Sequence, residues 1–140
     1  MNPQAEALKE RTKNFAVRIL RMWRHLPQGE EARVVGRQLL RSGTSVAANY
    51  RAACRARSKA EFISKLGTVV EEMDETAFWL ELMVAAEILP SNRLKPLQAV
   101  AGELLAIFVS SQLTAKSVNA EIRKSENIKS TEIRAARSGA

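Results

Sequence analysis

Apolar residues recur every three or four positions through most of this 140-residue chain, and that spacing restricts the fold more than any other feature. It places the apolar side chains on one face of an α-helix. Proline and glycine fall mostly between the periodic segments, for example at residues 26–29 and 89–92, where they end helices. Since no run of alternating β-branched residues indicates a strand, the sequence predicts an all-α protein.

The breaks divide the chain into four predicted helices. The first covers about residues 5–25, and the second begins near Glu30, whose carboxylate suits the positive end of a helix dipole. The third begins at Ser58, which opens a capping box with Glu61. Helices joined by such short loops pack as antiparallel neighbours. We therefore predict an antiparallel up-down-up-down four-helix bundle over residues 1–118.

The apolar period weakens at the end of the chain. Residues 119–140 carry five basic and three acidic side chains, with isolated isoleucines between them. Such segments are poorly ordered unless something ties them down. We predict a basic, flexible C-terminal tail that is partly helical at best.

The chain as a whole is basic, with 22 Lys and Arg against 15 Asp and Glu and a formal net charge of +7. This charge favours a partner that is a nucleic acid, an anionic membrane surface or an acidic protein. The charge is uneven, because residues 58–89 hold seven acidic and two basic side chains. Part of the basic charge is therefore expected to be neutralised within the bundle or between subunits.

Cysteine usage and hydropathy indicate the compartment. The single Cys54 excludes an intramolecular disulfide and is typical of a reducing compartment. The first 13 residues lack the apolar core of a secretory signal. Acidic residues interrupt the most apolar stretches before they reach the about 18 residues that a membrane-spanning helix needs. We expect a cytoplasmic protein that does not cross a membrane.

Catalytic groups are scarce. With one histidine, His25, and one cysteine, the chain cannot assemble a zinc site or a Cys–His pair. The acidic run 71–75 lacks the Glu-x-x-His motifs that accompany the carboxylates of di-iron bundles. Gly36, Gly43 and Gly67 lie inside helical patterns, where they favour close helix packing over phosphate binding. We predict a protein without catalytic residues, metal or cofactor.

The second predicted helix carries an arginine stripe. At about 100° per residue, its members lie close to one line, roughly 140° from the core-facing positions. They are Arg33, Arg37, Arg41, Arg51 and Arg55. Because arginine grips phosphate groups with its planar fork, the stripe is a candidate nucleic-acid-binding surface. The alternative is a solvated face balanced by acidic neighbours such as Glu71, Glu72 or Glu75.

A narrow face of small polar residues lies beside the stripe. It consists of Ser42, Ser45 and Asn49. Small side chains let another helix approach closely and accept or donate hydrogen bonds. A contact within the chain and a contact between subunits explain this face equally well.

Segments 76–86 and 97–109 are apolar on nearly every face, which is more than one bundle core buries. We expect the end of the third helix and the start of the fourth to form one combined patch, typical of a protein interface. The predicted contacts are Phe78, Trp79 and Leu82, with Trp79 as the anchor. We therefore predict a homo-oligomer; the alternatives are a crowded monomeric core and an unrelated protein partner.

Several segments together resemble a bacterial four-helix bundle protein family, also called 23S rRNA intervening-sequence or S23-type proteins. They are 38–53 (QLLRSGTSVAANYRAA), 58–66 (SKAEFISKL), 71–76 (EEMDET) and 79–82 (WLEL). The resemblance implies a ring-like homopentamer, encoded in some bacteria within insertions in 23S rRNA genes. It also implies kinship with the accessory variability protein of retroelements, a basic ring that joins a reverse transcriptase and RNA. Ala52 departs from the glutamate that the family often has there.

Two functions are compatible with these features. The first is a ring-forming, non-enzymatic scaffold that binds RNA, or less favourably DNA, through backbone phosphates with little sequence specificity. The second is a protein–protein adaptor that docks a partner on the apolar face of the third and fourth helices. The arginine stripe, the basic tail and the family resemblance favour the scaffold, and the adaptor is the alternative. The family itself has no established enzymatic activity.

Overall fold

A computed structural model of the protein describes residues 2–139. In that range the chain forms four α-helices and no strand. They are α1 (Pro3–Trp23), α2 (Glu30–Cys54), α3 (Lys59–Ala85) and α4 (Ser91–Ser138). The prediction of an all-α protein is confirmed, and α2 begins at the residue that the sequence indicated.

Side chains and turns fix the helix ends. The Ser58 hydroxyl accepts the Glu61 backbone N–H at 3.0 Å, as predicted for the start of α3. The Glu61 carboxylate accepts the N–H of Arg57 at 3.1 Å, one residue before the position that a standard capping box uses. At the other end of α3, Glu87 has a positive φ of 55°. The N–H of Ile88 then reaches the Met83 carbonyl at 3.0 Å, which is a Schellman ending.

All four helices contribute to one hydrophobic core. Each helix supplies fully buried side chains to this core. The ring of Phe108 on α4 lies 5.1 Å from that of Tyr50 on α2, measured between ring centroids. The largest fully buried side chains are Phe15, Phe108, Ile19, Leu39, Leu66, Met73, Leu80, Met83, Leu94 and Leu104. Burial of this apolar surface is what holds the helices together.

Glycines allow α1 and α2 to approach each other closely. A Cβ atom added at Gly43 would collide with the buried Ile19, and one added at Gly36 would collide with Leu26 and lie 3.1 Å from the Trp23 ring. The interpretation of these two glycines as packing positions is therefore confirmed. Between α2 and α3, the buried hydroxyls of Ser42 and Thr76 lie 2.9 Å apart in a hydrogen bond.

The fourth helix is much longer than the sequence suggested. It continues without a break to Ser138, so the prediction that the tail is partly helical at best is wrong for residues 119–138, while residue 140 lies outside the described residues. Residues 119–138 contain no proline or glycine and are rich in helix-favouring Glu, Lys, Arg and Ala. The apolar spacing weakens here because the helix is not buried, and not because the helix ends: every residue from 120 to 139 is exposed. A domain boundary at residue 118 stays a prediction.

Among residues 2–139, α4 is the one helix that could cross a membrane by its length and apolar composition. Core helices of soluble proteins meet the same criterion. Leu97, Ala101, Leu104 and Phe108 of this helix are buried in the core of the chain. The expectation that the chain does not cross a membrane stays a prediction.

Candidate nucleic-acid interface

The arginine stripe lies on the outer surface of α2. All five guanidinium groups are on exposed residues. Among the ion pairs of residues 2–139, none involves Arg33, Arg37, Arg51 or Arg55. The helix geometry predicted the exposure of the stripe, and four of its five members also have no carboxylate within 4 Å among the described residues.

Arg41 behaves differently, because α3 supplies it with two carboxylates. Its Nη1 donates to Glu72 at 3.3 Å, and its Nη2 donates to Glu75. The hydrogen bond from Arg41 is the main cause that lowers the pKa of Glu75, and the hydrogen bond to Glu75 raises the pKa of Arg41. The indole Nε1 of Trp79 also donates to Glu75, at 3.2 Å. The charge of Arg41 is thus compensated by carboxylates of its own chain, unlike that of the other four arginines, and its assignment to the nucleic-acid-binding set stays a prediction.

The C-terminal end of the stripe faces α1 across a groove of about 450 Å³. Arg51 and Arg55 line it together with two glutamates and two lysines of α1. Those glutamates pair with lysines of their own helix, Lys9 with Glu6 at 3.0 Å and Lys13 with Glu10 at 4.0 Å. The groove therefore has a net positive charge.

The small polar face divides between two roles. Ser42 is fully buried against Thr76 of α3, and its hydroxyl also donates to the Leu39 carbonyl at 3.3 Å. For Ser42 the contact within the chain is the alternative that holds, because α3 occupies that side of α2 and leaves no surface for a second subunit. Ser45 and Asn49 are half-buried and bonded to each other at 2.8 Å, from Asn49 Nδ2 to Ser45 Oγ. For these two residues the subunit contact stays a prediction.

The apolar surface is smaller than the sequence suggested. Within segment 76–86, Phe78 is the large apolar side chain that remains exposed, at 51%. Its ring meets the Trp79 ring edge to face, with centroids 5.0 Å apart, while Trp79 and Leu82 are half-buried. In segment 97–109, Leu97, Ala101, Leu104 and Phe108 are buried in the core of the same chain, which leaves less apolar surface there than the sequence suggested. That the remaining surface combines with the end of α3 into one patch stays a prediction. Phe78 is left as the most accessible of the predicted interface residues.

A second basic cluster was missed. Arg18, Arg21 and His25 at the end of α1 line a cavity of about 320 Å³ together with Arg93 at the start of α4. The spacing of the first three residues would have placed them on one face of a helix. Arg93 joins them because α4 begins beside the end of α1. The predicted up-down-up-down topology places these two helix ends together, so the cluster could have been found from the sequence. The structure thus has basic surface on more than one side.

No group of three His, Cys, Asp or Glu side chains within the described range could hold a metal ion. The hydroxyl of Tyr50 is kept protonated, because burial raises the pKa of this residue. The absence of catalytic activity stays a prediction.

Comparison with known proteins agrees with the resemblance seen in the sequence. Residues 7–110 match a family model described as 23S rRNA-intervening sequence protein. A similar solved structure is that of a protein of unknown function from the S23 ribosomal protein family of Bacteroides thetaiotaomicron. It is 33% identical, has a TM-score of 0.72, and covers 77% of this chain and 96% of its own. No curated protein matches the sequence.

Proposed function

This chain belongs to the 23S rRNA-intervening sequence protein family, and from that premise we propose that it is a non-enzymatic, oligomeric scaffold that binds nucleic acid. The observation that carries the proposal is the exposed face of α2, where Arg33, Arg37, Arg51 and Arg55 have no carboxylate partner within the described residues. The family name connects these proteins with 23S rRNA, which favours RNA over DNA as the ligand.

The contacts would be made to backbone phosphates. Within each pair, Arg33 with Arg37 and Arg51 with Arg55, the Cα atoms lie about 6 Å apart along a helix with a rise of about 1.5 Å per residue. Such a row of guanidinium groups follows a phosphate chain and reads no base edge. The proposed binding therefore has little sequence specificity and depends strongly on salt.

Assembly is the second part of the proposal. The four helices would run up-down-up-down. This is supported by contacts that move in opposite directions along α1 and α2, with Ile19 beside Gly43 and Trp23 beside Gly36. Copies of this bundle would form a ring-like homo-oligomer, a pentamer by the resemblance, in the cytoplasm and without membrane attachment. Exposed Phe78, with Trp79 and Leu82 beside it, would lie at the subunit interface. A ring would present several stripes at once, which raises affinity through multivalency.

The test neutralises the middle of the stripe. We expect Arg37→Gln with Arg51→Gln to weaken binding to a mixed-sequence single-stranded RNA by about tenfold or more at moderate salt. The slope of log K against log salt should fall by about 1.4, or about 0.7 for each lost phosphate contact. Fluorescence anisotropy across a salt series measures both quantities.

The matched control is Lys95→Gln with Lys129→Gln, which removes the same charge from exposed positions of α4. The control should bind RNA nearly as the natural protein does. Unchanged affinity and slope in the stripe variant, or an equal loss in the control, would reject the stripe as the binding surface.

The exposed Phe78 ring supports a second candidate, a protein–protein adaptor. An adaptor would capture one protein at a fixed ratio from a nucleic-acid-free preparation, and Phe78→Glu would abolish that capture. The stripe variant would leave the capture intact.

A further inference from the structure

The last part of α4, residues 119–138, is called the arm here. Every side chain from 120 to 138 is exposed, and the buried residues of α4 end at Phe108. The arm also lies outside the segment 7–110 that matches the family model. A helix of this length gains little stability from helix propensity alone. The surface of the arm is therefore available to a ligand and is not used to build the hydrophobic core.

Basic and polar side chains share one face of the arm. At about 100° per residue, four side chains at the root of the arm and along it fall within about 40° of one line. They are Lys116, Arg123, Asn127 and Arg134. Glu121 and Glu132 lie roughly 140–160° away on the opposite side, and Glu126 lies about 80° away on one flank. The arm thus has a basic and polar face from which the carboxylates of Glu121 and Glu132 point away.

The root of this basic face forms a groove with the start of α3. Its volume is about 670 Å³. Three cations and three uncharged hydrogen-bonding side chains line it, together with small apolar groups, and no carboxylate does. They are Lys116, Arg123 and Lys124, with Ser64, Asn119 and Asn127. Within residues 2–139, none of the three cations takes part in an ion pair.

We infer that this groove, continued by Arg134, binds the sugar-phosphate backbone of a nucleic-acid strand as a second contact surface; the inference rests on the proposed function. The cations would meet phosphate oxygens. The amide and hydroxyl groups of Asn119, Asn127 and Ser64 would hydrogen-bond phosphate and sugar oxygens, which suits a ligand that alternates charged and polar groups. From Lys116 to Arg134 the face is about 27 Å long, enough for several nucleotides.

A membrane surface fits the arm less well. A helix that lies in a membrane interface has a continuous apolar face, with tryptophan, phenylalanine or leucine on it. Val118, Ile122 and Ile133 of α4 do share a face, but Lys129 lies among them on the same side of the helix. The arm holds no aromatic residue. The groove against α3, with its amide donors, is a feature that a strand can enter and a lipid surface cannot.

The experiment uses the full chain with Arg123→Gln and Arg134→Gln. We expect this arm variant to bind a mixed-sequence single-stranded RNA about five- to tenfold more weakly at moderate salt, with a salt slope lower by about 1.4. The control is again Lys95→Gln with Lys129→Gln, of which Lys129 lies on the far face of the arm. Circular dichroism of both variants should match that of the natural protein, because the replaced side chains are exposed.

The outcomes separate this inference from the proposed function. If the arm variant binds RNA like the natural protein while the stripe variant is weakened, the inference fails and the proposed function stands. If only the arm variant is weakened, the inference stands and the stripe is rejected. If the natural protein binds no RNA, both the inference and the proposed function are rejected. An arm variant that loses binding to phosphatidylserine vesicles but not to RNA, or a control that loses as much RNA affinity, also overturns the inference.

Discussion

Replacing Phe78 with glutamate should reduce the native mass of the protein to that of a single 15.5 kDa chain and leave its helix content unchanged. The Phe78 ring is 51% exposed in the single chain, so the substitution removes little from the core of that chain. In the proposed subunit interface, the same substitution would bury a carboxylate without a partner. Such a charge costs several kcal/mol, enough to raise a dissociation constant by orders of magnitude.

Val34→Glu is the matched control for this prediction. Val34 of α2 has the same 51% exposure but lies outside the predicted interface. Sedimentation velocity should find the control in the natural assembly and the Phe78 variant as a monomer. An unchanged assembly with Phe78→Glu would remove Phe78 from the interface. Phe78 is a cleaner position than Trp79, whose indole packs on the core and donates to Glu75.

The second large effect concerns stability. Leu104→Ala should lower the free energy of unfolding by about 2–5 kcal/mol, because Leu104 is fully buried and the smaller side chain leaves a cavity. That is a large part of the about 5–15 kcal/mol that stabilises a typical domain. Urea denaturation followed by circular dichroism, at one protein concentration, measures the change.

Leu113→Ala provides the control, with the same substitution in the same helix. Leu113 is 63% exposed, so its loss should change the free energy of unfolding by no more than about 0.5 kcal/mol. A cost at Leu113 equal to that at Leu104 would mean that the two side chains are buried alike, in contradiction to the packing described above.

The helices could be predicted because their signals are local. Apolar spacing, prolines and the Ser58 cap gave the start of α2 and α3 nearly to the residue. The first helix ends at Trp23, two residues before its predicted end, because residues 24–25 form a turn. The length of α4 was missed for a different reason. Apolar periodicity reports which helix face is buried, and the arm is a helix with no buried face.

The candidate site was predicted only where it depends on α2 alone. The angle between the stripe and the core follows from helix geometry, so the exposure of Arg33, Arg37, Arg51 and Arg55 could be foreseen. The neutralisation of Arg41 and the burial of Ser42 depend on the register between α2 and α3. That register is set by how the side chains of the two helices pack against each other, and the spacing of residues in a single sequence does not predict it.

Native mass spectrometry of the full chain, purified with any bound nucleic acid left in place, is the most direct test of an oligomeric nucleic-acid-binding scaffold. The proposed function predicts a mass of several 15.5 kDa chains, five if the resemblance holds, plus an additional mass that nuclease treatment removes. A single chain of 15.5 kDa with no additional mass, before and after nuclease treatment, would contradict it.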